Sequence, residues 1–268
     1  MGLKDQIGSF CWWSLMTKDI TTANTFYQKL FDWTLDNVAV TGQGKTTIYT
    51  TKNGGFGSPI PLPKDFPGAS HWMAYVTVAD VDNACQKAES LGGQVCAPPF
   101  DIPTIGRTAI ITDPIGAAFH IFTPGADTLS SDAPGTNRDN LNGMGREPGE
   151  ICWMELMADD PTPLFSFYTA LFGWAFAEPM PMNGGEYISI TANGSPVGGL
   201  MKRAPNSPPM PPVWLNYFAV ESVDDGLAKA ENLGGTVILS KMELPDTGSF
   251  ALIEDPTGSL FYLFEWLR

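Results

Sequence analysis

The chain has 268 residues, 43% of them hydrophobic and 16% charged, enough for two globular domains with separate cores. Fifteen Lys+Arg stand against 29 Asp+Glu, a net charge of −14 at pH 7. An acidic surface of this kind repels phosphate backbones and anionic lipid, so nucleic acid and membrane are excluded as expected partners.

The opening MGLKDQIGSF carries no apolar signal core, and a cytoplasmic location is the expectation. Cys11, Cys85, Cys96 and Cys152 form no CxxC pair and no zinc spacing, which suits thiols in a reducing compartment. From Phe10 the run CWWSLM alternates as a strand. It sets Cys11, Trp13 and Leu15 on one face and Trp12, Ser14 and Met16 on the other. Between Asp19 and Trp33 the period changes, and Ile20, Ala23, Phe26, Leu30 and Phe31 trace a helical stripe. Short strands follow from Thr41 to Leu62, with a turn expected at Asn53-Gly54-Gly55. A new strand, HWMAYVTV, begins at His71 and is followed by a helix from Asp80 to Leu91, ended by Gly92-Gly93. On that strand Trp72, Ala74, Val76 and Val78 form the helix side, leaving His71, Met73, Tyr75 and Thr77 opposite. In AAFHIF, Phe119 and Ile121 face the helix, and His120 and Phe122 look the other way.

After a Gly-, Pro-, Asn- and Ser-rich stretch from Pro124 to Gly149, the same grammar returns. Phe26-Tyr27 and Phe167-Tyr168 are 141 residues apart. AESLGGQV and AENLGGTV, and the two DPxG motifs at Asp113 and Asp255, are 142 apart. Gly57-Ser58-Pro59 and Gly194-Ser195-Pro196 are 137 apart and read as turns, and Asn193-Gly194 reads as a hairpin. Asp160-Pro161 reads as an N-cap followed by proline at the first helical position. The chain is therefore a tandem duplication: residues 1–124, a linker over 125–148, and residues 149–268. Each copy holds two βαβββ units.

Paired βαβββ units, a helix carrying FYxxLFxW and a last strand introduced by DPxG resemble the vicinal oxygen chelate superfamily of glyoxalases, bleomycin-resistance proteins and extradiol dioxygenases. The resemblance implies an α+β fold in which each pair of units curls into an open, barrel-like sheet around a ligand. It also implies, for the metalloenzymes, His, Glu or Gln ligands on the first and last strands of the units. Those places hold Trp12 and Trp153, Met73 and Leu215, and His120 and Tyr262, with no carboxylate or imidazole near GSPIPLP or GSPVGGL. Only His120 is a metal-binding residue type.

Two readings follow. In the first, the protein binds a small aromatic or apolar molecule without the usual metal, against Trp12, Ser14, Met73 and Tyr75 in one copy and Trp153, Tyr217 and Tyr262 in the other. In the second it is a glyoxalase-like lyase or dioxygenase-type enzyme. That enzyme would use a divalent metal at His71 and His120, or acid–base chemistry at Glu155, whose carboxyl would rise in pKa beside Trp153. No cofactor is expected on the first reading. A monomer or homodimer with a small-molecule ligand is the expected state.

Overall fold

In a computed structural model of the chain, residues 6–40, 44–126, 144–182, 185–203 and 211–267 are described. Most of the expected linker, 127–143, lies outside them. The first copy runs β1 (Phe10–Thr17), α1 (Ile20–Phe31), β2 (Thr34–Val40), β3 (Gly44–Thr51), β4 (Gly54–Pro61), β5 (His71–Thr77), α2 (Val81–Ser90), β6 (Gln94–Ile102), β7 (Gly106–Thr112) and β8 (Ala118–Pro124). The second runs β9 (Ile151–Ala158), α3 (Thr162–Phe172), β10 (Ala175–Phe176), β11 (Met180–Met182), β12 (Gly185–Ala192), β13 (Ser195–Lys202), β14 (Trp214–Ala219), α4 (Val223–Asn232), β15 (Thr236–Leu244), β16 (Gly248–Glu254) and β17 (Leu260–Trp266). The strands form two open mixed sheets, in the orders β2-β3-β4-β1-β5-β8-β7-β6 and β10-β12-β13-β9-β14-β17-β16-β15, with β11 on β12. This is the expected α+β architecture of βαβββ units, and neither sheet closes into a barrel.

Local chemistry explains the helix ends. Asp19 and Asp80 cap α1 and α2, accepting from the Thr22 and Asn83 amides at 3.0 and 2.9 Å. At α3 the cap sits one residue later than expected. Pro161 is the N-cap, and Asp160 supports it by accepting from the Thr162 amide at 2.9 Å. Asn193 and Gly194, both at positive φ, make the tight hairpin between β12 and β13. The turn expected at Asn53-Gly54-Gly55 is drawn back to Lys52-Asn53, because Gly54 and Gly55 already pair with Thr51 and Thr50.

The GSP landmark is corrected. Gly57-Ser58-Pro59 is not a turn: it lies inside β4, paired in parallel with Trp13, Ser14 and Leu15 of β1. A Cβ on Gly57 would sit 2.6 Å from the Trp13 carbonyl oxygen, and one on Gly198 would sit 2.6 Å from that of Met154. Gly57 therefore corresponds to Gly198, at the same 141-residue offset as the helices. The second GSP belongs to a hairpin four residues earlier.

The chain divides into two compact units, each taking one βαβββ unit from each copy. The first is Met1–Trp12, Ala74–Ala133 and Met154–Trp214; the second is Trp13–Met73, Pro134–Trp153 and Leu215–Arg268. In the first, the Tyr168 hydroxyl of α3 donates to Asp113 at 2.8 Å and accepts from Trp214 Nε1 at 3.0 Å. Trp174 donates to the Gly8 carbonyl at 2.7 Å, and its ring stacks on Tyr168 with centroids 4.8 Å apart. Phe119 packs on Tyr168 and Phe172, so the side of β8 read as facing a helix does so. The second unit repeats the pattern. Trp72 donates to the Tyr27 hydroxyl at 3.0 Å, Trp33 donates to the Gly149 carbonyl at 2.8 Å, and Phe261 packs on Phe26 and Tyr27. Each large ring buried in this way contributes roughly 1.5–3 kcal/mol.

Candidate functional site

The motifs shared by the two copies are occupied in these cores. The FY helix of one copy meets the DPxG loop of the other at Tyr168 and Asp113, and its FxW tryptophan caps the other copy's opening glycine. Burial raises the Asp113 carboxyl pKa, against the opposing effect of Tyr168 and the backbone amides. Burial and the Asp113 charge push the Tyr168 hydroxyl well up. Functional residues must be sought on the other faces of the strands, where the copies differ.

On that face of the first unit, β5 and β8 run parallel with Tyr75 beside His120. Their rings stack with centroids 3.9 Å apart and planes 6° from parallel, and Phe122 stands edge-on to Tyr75 at 6.4 Å. Tyr75 and His120 are 6% and 3% exposed. On the neighbouring strand β7, Thr108 Oγ1 donates to the Ile121 carbonyl at 2.8 Å and lies 3.3 Å from His120 Nδ1. With its one proton committed to that carbonyl, the hydroxyl can only accept from the imidazole. His120 therefore carries its proton on Nδ1, and Nε2 holds a free lone pair. Nε2 is buried and has no hydrogen-bond partner among the described residues. Burial lowers the His120 pKa to about 3, so the ring is neutral at physiological pH.

The second unit builds the same corner from other side chains. Tyr217 and Tyr262 stack at 4.2 Å and 17°. Phe250 stands where Thr108 stands in the first copy, and packs on Tyr262 at 5.8 Å and on Tyr217 at 6.3 Å. Phe264 takes the place of Phe122, 6.2 Å from Tyr217. An imidazole held by a hydroxyl has been exchanged for an aromatic cluster.

The structure thus brings together Tyr75 and His120, and separately Tyr217 and Tyr262. Trp12 and Trp153 are each half-buried beside the buried Trp13 and Met154. Ser14 is fully buried in register with Ser58, and Met73 is 4% exposed. Glu155 is 7% exposed, in register with Gly199, over which the Tyr187 side chain lies. His71 is half-buried at the start of β5, with Nδ1 3.0 Å from the Ala69 carbonyl and the Phe66 ring 6.0 Å away. It belongs to the second compact unit and His120 to the first. Sequence reasoning missed Thr108. The alternation of RTAII places Thr108 and Ile110 on the His120 face; the β7–β8 register sets Ile110 opposite His120 and Thr108 opposite Phe122, and the Thr108 hydroxyl reaches the imidazole diagonally. It also missed Asn216, whose amide oxygen and nitrogen are both buried without a partner among the described residues.

No three His, Cys, Asp or Glu side chains gather in a metal-holding group among the described residues. His120 supplies one nitrogen, and Thr108 and Tyr75 beside it are poor ligands for a divalent ion.

With this fold and face in view, the comparisons with known proteins can be placed. The model of the Glyoxalase/Bleomycin resistance protein/Dioxygenase superfamily matches residues 6–121 and again 150–263. The chain belongs to that superfamily. It is 36% identical over 259 residues to "Putative glyoxylase CFP32" of Mycobacterium bovis, covering 93% of this chain and 92% of the relative. It is 27% identical over 271 residues to anthracycline biosynthesis protein DnrV of Streptomyces peucetius, covering 96% and 93%. Among solved structures, the Mn(II)-bound glyoxalase from Novosphingobium aromaticivorans matches with a TM-score of 0.64 at 15% identity, over 98% of this chain and 83% of that one. A 2,2',3-trihydroxybiphenyl 1,2-dioxygenase from Sphingomonas wittichii matches with a TM-score of 0.64 at 13% identity, over 97% and 90%. These structural likenesses speak to the fold alone.

Proposed function

We propose that the protein binds a small aromatic or apolar molecule against the Tyr75–His120–Phe122 face of its first copy, without a metal at the superfamily's usual place. The Tyr75–His120 stack carries this reading. It is a flat, buried, neutral surface on which His120 Nε2, without a partner among the described residues, can fix a ligand's orientation, the composition expected of a small-molecule site. The relative named for anthracycline biosynthesis supports a fused-ring aromatic as the ligand class. Trp12, half-buried on the opening strand of the same unit, is the further aromatic wall. Calorimetry on protein stripped of metal by chelation, titrated with naphthalene derivatives, is the test. Saturable binding weakened about tenfold or more by Tyr75→Ala and by Trp12→Ala is the expected result. Absent binding, or binding indifferent to both substitutions, would refute it.

A lyase or dioxygenase-type enzyme is the competing reading, and Glu155 is the observation that favours it. It is a 7% exposed carboxylate on the opening strand of the second copy, largely shielded from water as a general base is. That reading requires a turnover that disappears in Glu155→Gln while the protein stays folded.

A further inference from the structure

The stacked imidazole says more about the ligand than that it is flat. Because the Thr108 proton is directed to the Ile121 carbonyl, His120 is fixed as the Nδ1–H tautomer, and its Nε2 is an acceptor and never a donor. This atom is buried and has no hydrogen-bond partner among the described residues. A buried acceptor without a partner costs about 1–3 kcal/mol, which a ligand donor placed there would recover. Three features keep other roles from this nitrogen. The ring stays neutral, since burial holds its pKa at about 3. The Tyr75 ring lies flat on it at 3.9 Å and fixes its plane. No trio of metal-ligating side chains surrounds it among the described residues.

We infer that His120 Nε2 is a specificity contact that accepts a hydrogen bond from an O–H or N–H carried on the ligand's aromatic ring, so that the protein selects phenol-like or pyrrole-like aromatics over their alkylated counterparts. This rests on the proposed binding face and deepens it. The second copy has no imidazole at the corresponding place, since Tyr262 stands for His120 and Phe250 for Thr108.

The test uses two probes that differ only in the donor, 2-naphthol and 2-methoxynaphthalene, on full-length, metal-stripped protein. The intact protein should bind 2-naphthol roughly tenfold tighter than its methyl ether. In His120→Phe, which keeps a ring to stack on Tyr75, the two should bind within about twofold of each other. Equal binding of both probes to the intact protein would overturn the donor contact while leaving the aromatic face standing. Failure of both probes to bind would overturn the face and the contact together. 15N-labelled histidine NMR, with the His120 signals assigned by their loss in His120→Phe, should show the Nδ1–H tautomer for His120, with its Nε2 signal moving on addition of 2-naphthol and not on addition of the ether. An Nε2–H tautomer, or an Nε2 signal that answers to Mn2+ or Zn2+ at one equivalent and not to naphthol, would contradict the proposal.

Discussion

At the scale of single residues, two buried polar groups carry consequences. Burial lowers the folded-state pKa of His120 to about 3 from 6.5. As pH falls the unfolded chain takes up the proton first, so this group's contribution to stability is complete above about 6.5 and drains away below it. The unfolding free energy of the intact protein should fall by about 1.5 kcal/mol more than that of His120→Phe between pH 6.5 and 5. Parallel denaturation curves at the two pH values check this, and an equal fall in both proteins would show that His120 takes up its proton alike in the folded and unfolded chain, contradicting the lowered pKa. Asn216 makes the second case. It is fully buried in β14 with both amide atoms unpaired, and its counterpart in the first copy is Ala74. Asn216→Ala removes the stranded amide and should raise stability by about 1 kcal/mol, measured by urea unfolding. A loss of stability would mean that the amide has a partner, such as a bound water.

At the scale of elements, close backbone approach decides which glycines matter. Gly57 and Gly198 let β4 and β13 run against β1 and β9, where a Cβ would meet a backbone carbonyl oxygen at 2.6 Å. Gly194 sits in open space at φ 79°, needing only the left-handed turn. Gly57→Ala and Gly198→Ala should each cost about 1–3 kcal/mol, and Gly194→Ala about 1 kcal/mol or less. Thermal unfolding of the three variants would place them in that order, whereas equal losses at Gly57 and Gly194 would restore the correspondence suggested by the GSP triplets. This is also where the sequence was most and least legible. Strand alternation and capping residues announced β1, α1, β5 and α2 to within one or two residues, because those signals are local. The GSP repeat misled because a hairpin and a strand interior can share a triplet, and the β1–β4 pairing that separates them is between segments over forty residues apart. The faces of β5 and β8 were also legible, from Trp72 and Phe119 packing on helices. The lock on His120 was not, since the register sets Ile110 opposite His120 and the Thr108 hydroxyl reaches the imidazole only diagonally across the two strands.

At the scale of the whole chain, the duplication has divided its labour. Residues repeated in both copies, such as Tyr27 and Tyr168, Trp33 and Trp174, and the second glycine of each LGG, are spent on contacts to the opposite copy. A Cβ on Gly93 would strike Phe167 at 2.9 Å, and one on Gly235 would meet Phe26 at 3.1 Å. Residues that differ, His120 against Tyr262, Thr108 against Phe250 and Ser14 against Glu155, lie on the remaining strand faces. The candidate site mixes the two kinds: Tyr75, Phe122 and Trp12 are repeated as Tyr217, Phe264 and Trp153, while His120 and Thr108 are not. One physical consequence is that neither copy completes its own core. Residues 1–126 expressed alone should aggregate or self-associate, lacking Tyr168 for Asp113 and Trp174 for Gly8, and co-expression with 144–268 should restore soluble protein. A stable, monomeric first copy with a cooperative unfolding transition would contradict that view.

The most direct measurement is a crystal structure of metal-stripped protein soaked in 2-naphthol. The account predicts the naphthyl ring against Tyr75, His120 and Phe122, its hydroxyl within hydrogen-bonding distance of His120 Nε2, and the Thr108 contact on Nδ1 intact. A cation bound to Nε2 when metal is restored, or a naphthol seated elsewhere with this face left untouched, would contradict it.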